Sequence, residues 1–294
     1  MKRFVSLVLG LLLLLMLTAG CQQAENLPSD TTSSAAPAFT ARELYWKMRS
    51  AIGMSSPTCY IQESEIFYET GSDIFLKKAG SRDRMQVIYG KDPYEINIAY
   101  EWTEYDGEEA FTTGDAQYYR EKEDGVDLYW YSGSYDQWIY LNEEGLDRWV
   151  LELGRVTLHP TEYPENATVD PETQMVGDRE VYVLRYREPF AKQVPEAEMT
   201  EELAILNELE IENRLYIDTE TYLLLQAEIS GLQLEGEQAR ALYAFVMGEK
   251  YLNQERQLTV KSYRIAYTGI RYDPVEVPPV PEEAFQGQKE FGNT

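Results

Sequence analysis

The chain has 294 residues, 44% of them apolar, and carries 51 Asp and Glu against 26 Lys and Arg, a net charge of −25. That excess of acid excludes nucleic acid as a partner, because such binding rests on neutralising phosphates with Lys and Arg, and it keeps the body of the protein off anionic lipid. Only Cys21 and Cys59 occur, so no disulfide framework carries the fold and an apolar core must do so.

Lys2 and Arg3 precede an apolar run from Phe4 to Leu17, and small residues follow, which is the pattern of a secretory signal over residues 1–20. The run is shorter than the ~20 apolar residues that an uncleaved spanning anchor needs. Its end, Leu17-Thr18-Ala19-Gly20-Cys21, resembles the lipobox of bacterial lipoproteins, with Thr18 in the place where Leu is commonest and Leu17 one further back. The resemblance implies cleavage before Cys21 and a diacylglyceryl group on its sulfur. Two acyl chains hold a bilayer stably where one binds only marginally. The expected location is therefore the bacterial cell envelope, lipid-anchored on the extracytoplasmic face of a membrane. Loss of Lys2 and Arg3 leaves 24 basic side chains and a net charge of −27. With Cys21 acylated, Cys59 has no partner in the chain and reads as a small buried hydrophobe.

Residues 21–38, rich in Ser, Thr, Pro and Ala, read as a flexible tether, and 39–294 as a single domain. Thr40-Ala41-Arg42-Glu43 has the spacing of a capping box, Leu44, Met48, Ala51 and Ile52 recur on one helical face, and Gly53 ends the helix. After Pro57 the period changes to two. Strands are predicted over Thr58 to Thr70, Asp73 to Lys78, Arg84 to Tyr89 and Tyr94 to Tyr105, with a loop over Ala79 to Asp83. In the fourth, Tyr94, Ile96, Ile98, Tyr100 and Trp102 alternate with polar residues, as a strand with one buried face does. Turns are expected at Asp106-Gly107 and Gly114-Asp115, a further strand over Val126 to Tyr131, and a helix over Tyr135 to Leu153. His159-Pro160 to Asn166 reads as loop. Gln174 to Val176 and Arg179 to Arg187 flank Gly177-Asp178 as a hairpin. Helical insertions are predicted over 196–210 and 237–252, between strands at Arg214 to Asp218, Tyr222 to Ser230 and Gln257 to Thr268, and a Pro-rich tail from Pro274 is expected to wrap the surface.

Short linked strands without intervening helices argue an antiparallel meander. The residues Arg82-Asp83-Arg84, Gly177-Asp178-Arg179-Glu180-Val181-Tyr182-Val183-Leu184, Leu215-Tyr216-Ile217-Asp218 and Leu223-Leu224-Leu225, behind a lipobox, resemble the LolA and LolB lipoprotein carriers and the mycobacterial lipid-carrying lipoproteins. The resemblance implies an α+β fold: a strongly curved antiparallel sheet, an incomplete β-barrel, with an N-terminal helix and inserted helices on its concave face. It also implies an apolar cavity for acyl chains. The cavity candidates are Ile96, Ile98, Tyr100 and Trp102 on one strand, Leu223 and Leu225 on another, and Leu242 and Val246 on the second insertion.

Catalytic chemistry has little to work with. His159 is the only histidine, so a site with several imidazoles or a Cys-His-Asn arrangement is not available, and no Gly-x-Ser-x-Gly, Walker or dinucleotide loop is present. The acidic clusters Glu121 to Asp127 and Glu143-Glu144 read as turns. The expectation is a non-enzymatic binding protein for a lipid or other hydrophobic ligand, with no cofactor and no metal. Two alternatives stay open: binding of cell wall or carbohydrate, for which 23 Tyr and 5 Trp, including Tyr129-Trp130-Tyr131 and Tyr135 to Trp138, supply stacking rings, and envelope sensing.

Overall fold

The computed structural model describes residues 39–53, 56–72, 75–90, 95–123, 125–144, 158–190, 204–230, 233–247, 257–286 and 289–290. The signal segment, Cys21 and the tether lie outside them, as do Tyr94, residues 145–153, 196–203 and 248–252. The first element is helix α1 (Ala41–Ile52). Glu43 N donates to Thr40 Oγ1 at 3.2 Å and Thr40 N to the Glu43 carboxylate at 2.8 Å, so two free donors of the first turn are satisfied reciprocally. Gly53 ends the helix at φ 61, a left-handed value that a glycine adopts without a Cβ clash. Leu44, Tyr45, Met48 and Ile52 form its buried stripe, while Ala51, expected there, is exposed.

The chain then runs as a meander of β1 (Cys59–Ser72), β2 (Phe75–Tyr89), β3 (Glu95–Asp106), β4 (Glu109–Lys122), β5 (Gly125–Ser132) and β6 (Gln137–Glu144). Further on come β7 (Thr168–Val169), β8 (Gln174–Val176), β9 (Arg179–Pro189), a 3₁₀ turn (Ala204–Glu208), β10 (Glu210–Asp218), β11 (Leu224–Ser230) and β12 (Leu234–Glu235). Helix α2 (Gly236–Met247), β13 (Gln257–Arg271), the short helix α3 (Glu283–Gln286) and β14 (Lys289–Glu290) complete the order. The strands make one sheet in the spatial order β14-β6-β5-β4-β3-β2-β1-β13-β11-β10-β9-β7, with β12 on β13 and β8 on β9. β13 lies between β1 and β11 and joins the meander to the second half. β7 and β14 do not meet, so the sheet is open and curved, the α+β incomplete barrel that the sequence implies. Among the described strands all pairings are antiparallel but one, the short tail strand β14 on β6.

Two irregularities keep β13 facing one core. Its register against β1 shifts near Gly269, which has φ 59, and again at Lys261. Each shift inserts a residue and turns the strand over by one. Ile270, then Tyr267, Ile265 and Tyr263, then Val260 and Leu258 therefore all reach the same apolar cluster despite the change of parity.

Four sequence expectations are corrected. Ala79 to Asp83 is not a loop but part of one continuous β2, in register with β3 from Ala79↔Asp106 to Tyr89↔Ile96. Gly80 is there for space: the Phe67 ring lies over it, and a Cβ would stand 2.3 Å from Phe67 Cδ1. Gly114-Asp115 likewise lies within β4, where a Cβ on Gly114 would crowd the Tyr100 carbonyl at 3.2 Å. The helix expected from Tyr135 is a strand over Gln137–Glu144, because Trp138 and Tyr140 stand opposite Tyr131 and Tyr129 of β5, and cross-strand aromatic pairs outweigh an accidental helical spacing. Of the insertion over 196–210, the described part is a 3₁₀ turn that ends before Glu210, where β10 already pairs with Pro189.

Candidate functional site

Pairing fixes which side chains share a face. On β1, Tyr60, Gln62, Ser64 and Ile66 turn inward, and on β2 Ser81, Asp83, Met85, Val87 and Tyr89 do, since Tyr60, Ile66, Met85, Val87 and Tyr89 all belong to the main core. Across the ladders the same face continues through Ile96, Ile98, Tyr100 and Trp102 of β3, Asp115, Gln117 and Tyr119 of β4, Leu128, Trp130 and Ser132 of β5, and Ile139 and Leu141 of β6.

The helices cover one half of this inner face. α1 packs on β9, and α2 packs on β13 and the 3₁₀ turn, so that Leu184, Phe190, Leu206, Leu224, Leu242 and Tyr263 are almost wholly buried. The other half, β3 to β6, is less closed. Ile96 and Ile98 are buried, but Tyr100, Trp102, Trp130 and Ile139 are only half-buried.

The structure thus brings Ile96, Ile98, Tyr100 and Trp102 together on the less covered half. Leu242, on α2, is buried in the core, and Leu223 packs half-buried against that core. The side chain of Val246 lies outside those described. Leu225 is on the wrong face. β11 pairs Gln226 with Tyr216 and Leu224 with Ile217, so Leu225 is an extra residue between them. The bulge breaks the expected alternation: Leu224 joins Ala227 and Ile229 in the core, and Leu225 joins Val181, Val183 and Tyr216 in a small cluster on the other side of the sheet.

Among the apolar inner residues stands a polar row that the search for apolar periodicity passed over. Gln62 and Ser64 share the alternation of Tyr60 and Ile66, and Asp83 that of Met85 and Val87, which is the signal that could have found them. Asp115 accepts from Trp130 Nε1 at 3.1 Å and from the Gly133 backbone at 2.9 Å, and Tyr119 Oη donates to Gln117 at 2.8 Å. Asp83, 2% exposed, has its pKa raised to about 7 by burial, with a Tyr100 hydrogen bond as the only opposing influence. On the outer face Arg82 meets the fully buried Glu65 at 3.1 Å, and burial still raises that carboxyl to about 7 against the pull of Arg82 and Arg264.

His159 is half-buried and Cys59 buried. His159 Nδ1 stands 3.0 Å from the Pro160 carbonyl oxygen, to which it donates when protonated, and 3.1 Å from Arg49 Nη1, from which it accepts when unprotonated; burial lowers the imidazole pKa and favours the neutral ring. Cys59 is buried, and burial raises its thiol pKa, away from the thiolate that chemistry needs. No group of three His, Cys, Asp or Glu able to hold a metal occurs among the described residues. The aromatic run Tyr129-Trp130-Tyr131 is divided between faces. Trp130 turns inward, while Tyr129, Tyr131, Trp138 and Tyr140 line the outer face, with ring centroids of 5.1 Å for Tyr129 and Tyr140 and 5.4 Å for Tyr131 and Trp138.

Neither a protein-family model nor a curated protein sequence matches the chain. Among solved structures it is similar to a DUF1329 family protein from Desulfovibrio piger, at 10% identity over 79% of this chain and 92% of that one, with a TM-score of 0.20. A LolA superfamily protein from Nitrosomonas europaea shares 14% identity over 82% of this chain and 96% of its own, with a TM-score of 0.19. A β-barrel-like domain of unknown function, DUF1849, from Brucella abortus shares 11% over 76% and 99%, with a TM-score of 0.17.

Proposed function

We propose that the chain is a non-enzymatic binding protein, anchored to the extracytoplasmic face of a bacterial membrane through Cys21, that takes a hydrophobic ligand on the inner face of β3 to β6. The observation that carries this reading is the unequal cover of that face. Tyr100, Trp102, Trp130 and Ile139 keep part of their surface exposed to water beside buried Ile96 and Ile98, whereas the described residues of the helix-covered half are closed in. Apolar surface left in contact with water gains ~25 cal/mol per Å² when a ligand covers it. The test is uptake of a fluorescent dodecyl probe by the purified chain. Ile98→Phe and Trp102→Ala should weaken uptake at least several-fold while the melting temperature shows each variant folded. Leu225→Ala, on the opposite face, should leave uptake unchanged. Wild-type protein that takes up no probe would end this reading. For the anchor, Cys21→Ala should abolish metabolic labelling with a fatty acid, and retained label would exclude the lipobox assignment.

A second reading is supported by the outer face, where Tyr118, Tyr129, Tyr131, Trp138 and Tyr140 form a run of half-buried rings. Rings so placed can stack on sugars, although here they lean on one another at interplanar angles of 40° to 50°. Co-sedimentation with insoluble peptidoglycan, lost in Trp138→Ala, would favour it.

A further inference from the structure

Asp83 is a buried carboxylate that Tyr100 alone tempers and that no described cation answers. It is 2% exposed, and neither of its oxygens closes a hydrogen bond of ordinary geometry; the Oγ of the neighbouring inward residue, Ser81, 5% exposed, lacks one too. Native interiors pair or hydrogen-bond such groups, because an isolated buried charge is among the costliest things a protein can hold. The cations nearest in sequence are turned away. Arg82 and Arg84 point to the outer face, where they meet Glu65 at 3.1 Å and Glu63 at 3.8 Å. Among the described inward side chains of β1 to β6 and of β13 there is neither Lys nor Arg, whereas Asp83, Glu104 and Asp115 are acids. The described part of this face is therefore negative, and no described side chain of these strands would receive a phosphate or a carboxylate. Trp102 stands directly opposite Asp83 on β3, with Tyr100 beside it. A ring face and a carboxylate together suit a cation. A single carboxylate with aromatic neighbours does not suit a metal, which needs several oxygen ligands.

We propose that the ligand of this face is an amphiphile with a positively charged amine head, received by Asp83 between Tyr100 and Trp102, its alkyl part lying along Ile96 and Ile98. The proposal rests on the hydrophobic-ligand reading above and adds the chemistry of the head group. It also accounts for why the sequence keeps a carboxylate where an amide would fit: the missing countercharge arrives with the ligand.

Three probes of one chain length separate the two ideas. Dodecylamine, dodecanol and dodecanoate are titrated at pH 8 into the purified full chain, and binding is read from tryptophan fluorescence and calorimetry. Dodecylamine should bind at least tenfold more tightly than dodecanol, and dodecanoate most weakly. Asp83→Asn should abolish the preference, so that dodecylamine and dodecanol bind within about twofold of each other, with circular dichroism confirming the fold. Asp83→Glu, which keeps the charge, should retain part of the preference. Equal binding of the three probes by wild type, or tightest binding of dodecanoate, overturns the amine proposal and leaves the apolar face as a binding site. An amine preference that survives in folded Asp83→Asn overturns it as well. Failure of all three probes to bind removes the apolar face itself, and the amine proposal with it. The ranking in the wild-type protein decides the matter even if a variant does not fold.

Discussion

Asp83 and Gly80, three residues apart on β2, show how a single position sets stability here. The Asp83 carboxyl has a pKa of about 7 in the fold against an ordinary 3.8, so the folded chain holds its proton more tightly than the unfolded one. Below pH 4 both states are protonated and the group costs nothing. Between pH 4 and 7 the unfolded chain releases the proton while the folded one keeps it, so stability falls; above pH 7 the loss is complete, up to ~4 kcal/mol. Gln62 and Ser64 on β1 and Tyr100 and Trp102 on β3 stand around it and include no other carboxylate or imidazole, while Glu104, opposite Ser81, is exposed to water. Asp83→Asn should therefore raise the melting temperature at pH 8 and leave it nearly unchanged at pH 4, and equal effects at both would show that the carboxyl is not perturbed. Gly80 acts through volume. Gly80→Ala would set a Cβ 2.3 Å from Phe67 Cδ1 and 2.7 Å from the Ile66 carbonyl oxygen, and should cost ~1–3 kcal/mol in urea unfolding. Phe67→Leu in that background should recover part of it, since the ring can be removed and the backbone contact cannot.

At the scale of the element, α1 is the part whose ends were legible. A capping box and a terminal glycine are local signals, and each was found where the spacing put it. Thr40→Ala removes the side-chain acceptor of the Glu43 N–H and should destabilise the chain by ~1 kcal/mol in urea melts, while Thr40→Ser should be nearly neutral. The alternation of Ile96, Ile98, Tyr100 and Trp102 was equally readable, because β3 pairs without interruption on both sides. What failed were glycines and bulges. Gly80 and Gly114 look like turns in the sequence, yet each serves a close approach by a distant residue, Phe67 or the Tyr100 backbone. The bulge at Leu225 comes from pairing with β10 and has no mark in Leu223-Leu224-Leu225, three equivalent side chains. The polar row of Asp83, Gln62 and Ser64 was passed over because polar residues on an inward face contradict the rule by which inward faces are found.

On the scale of the whole molecule, the decisive contact is between segments far apart in the chain. β1 pairs with β13 from Cys59↔Arg271 to Gly71↔Gln257, the most extensive strand contact among the described residues, and among the described strands β13 alone connects the meander to β11. Closing so long a loop costs entropy before the pairing returns anything, so refolding from urea should be slow, in the range of milliseconds to seconds or beyond. A chain truncated just before Gln257, and so lacking β13, should fail to give a cooperative thermal transition, and a folded monomer of that fragment would contradict the role given to β13. Position in the chain is also order in time. A polypeptide that emerges from its amino end presents β1 long before β13 exists, so one edge of β1 must wait with its backbone unpaired, an invitation to another chain in the same condition. Glu63, Glu65 and Glu69 lie along that strand. Before the fold closes they set like charges against any second copy that would pair there, and afterwards Arg84, Arg82 and Lys261 answer them one by one.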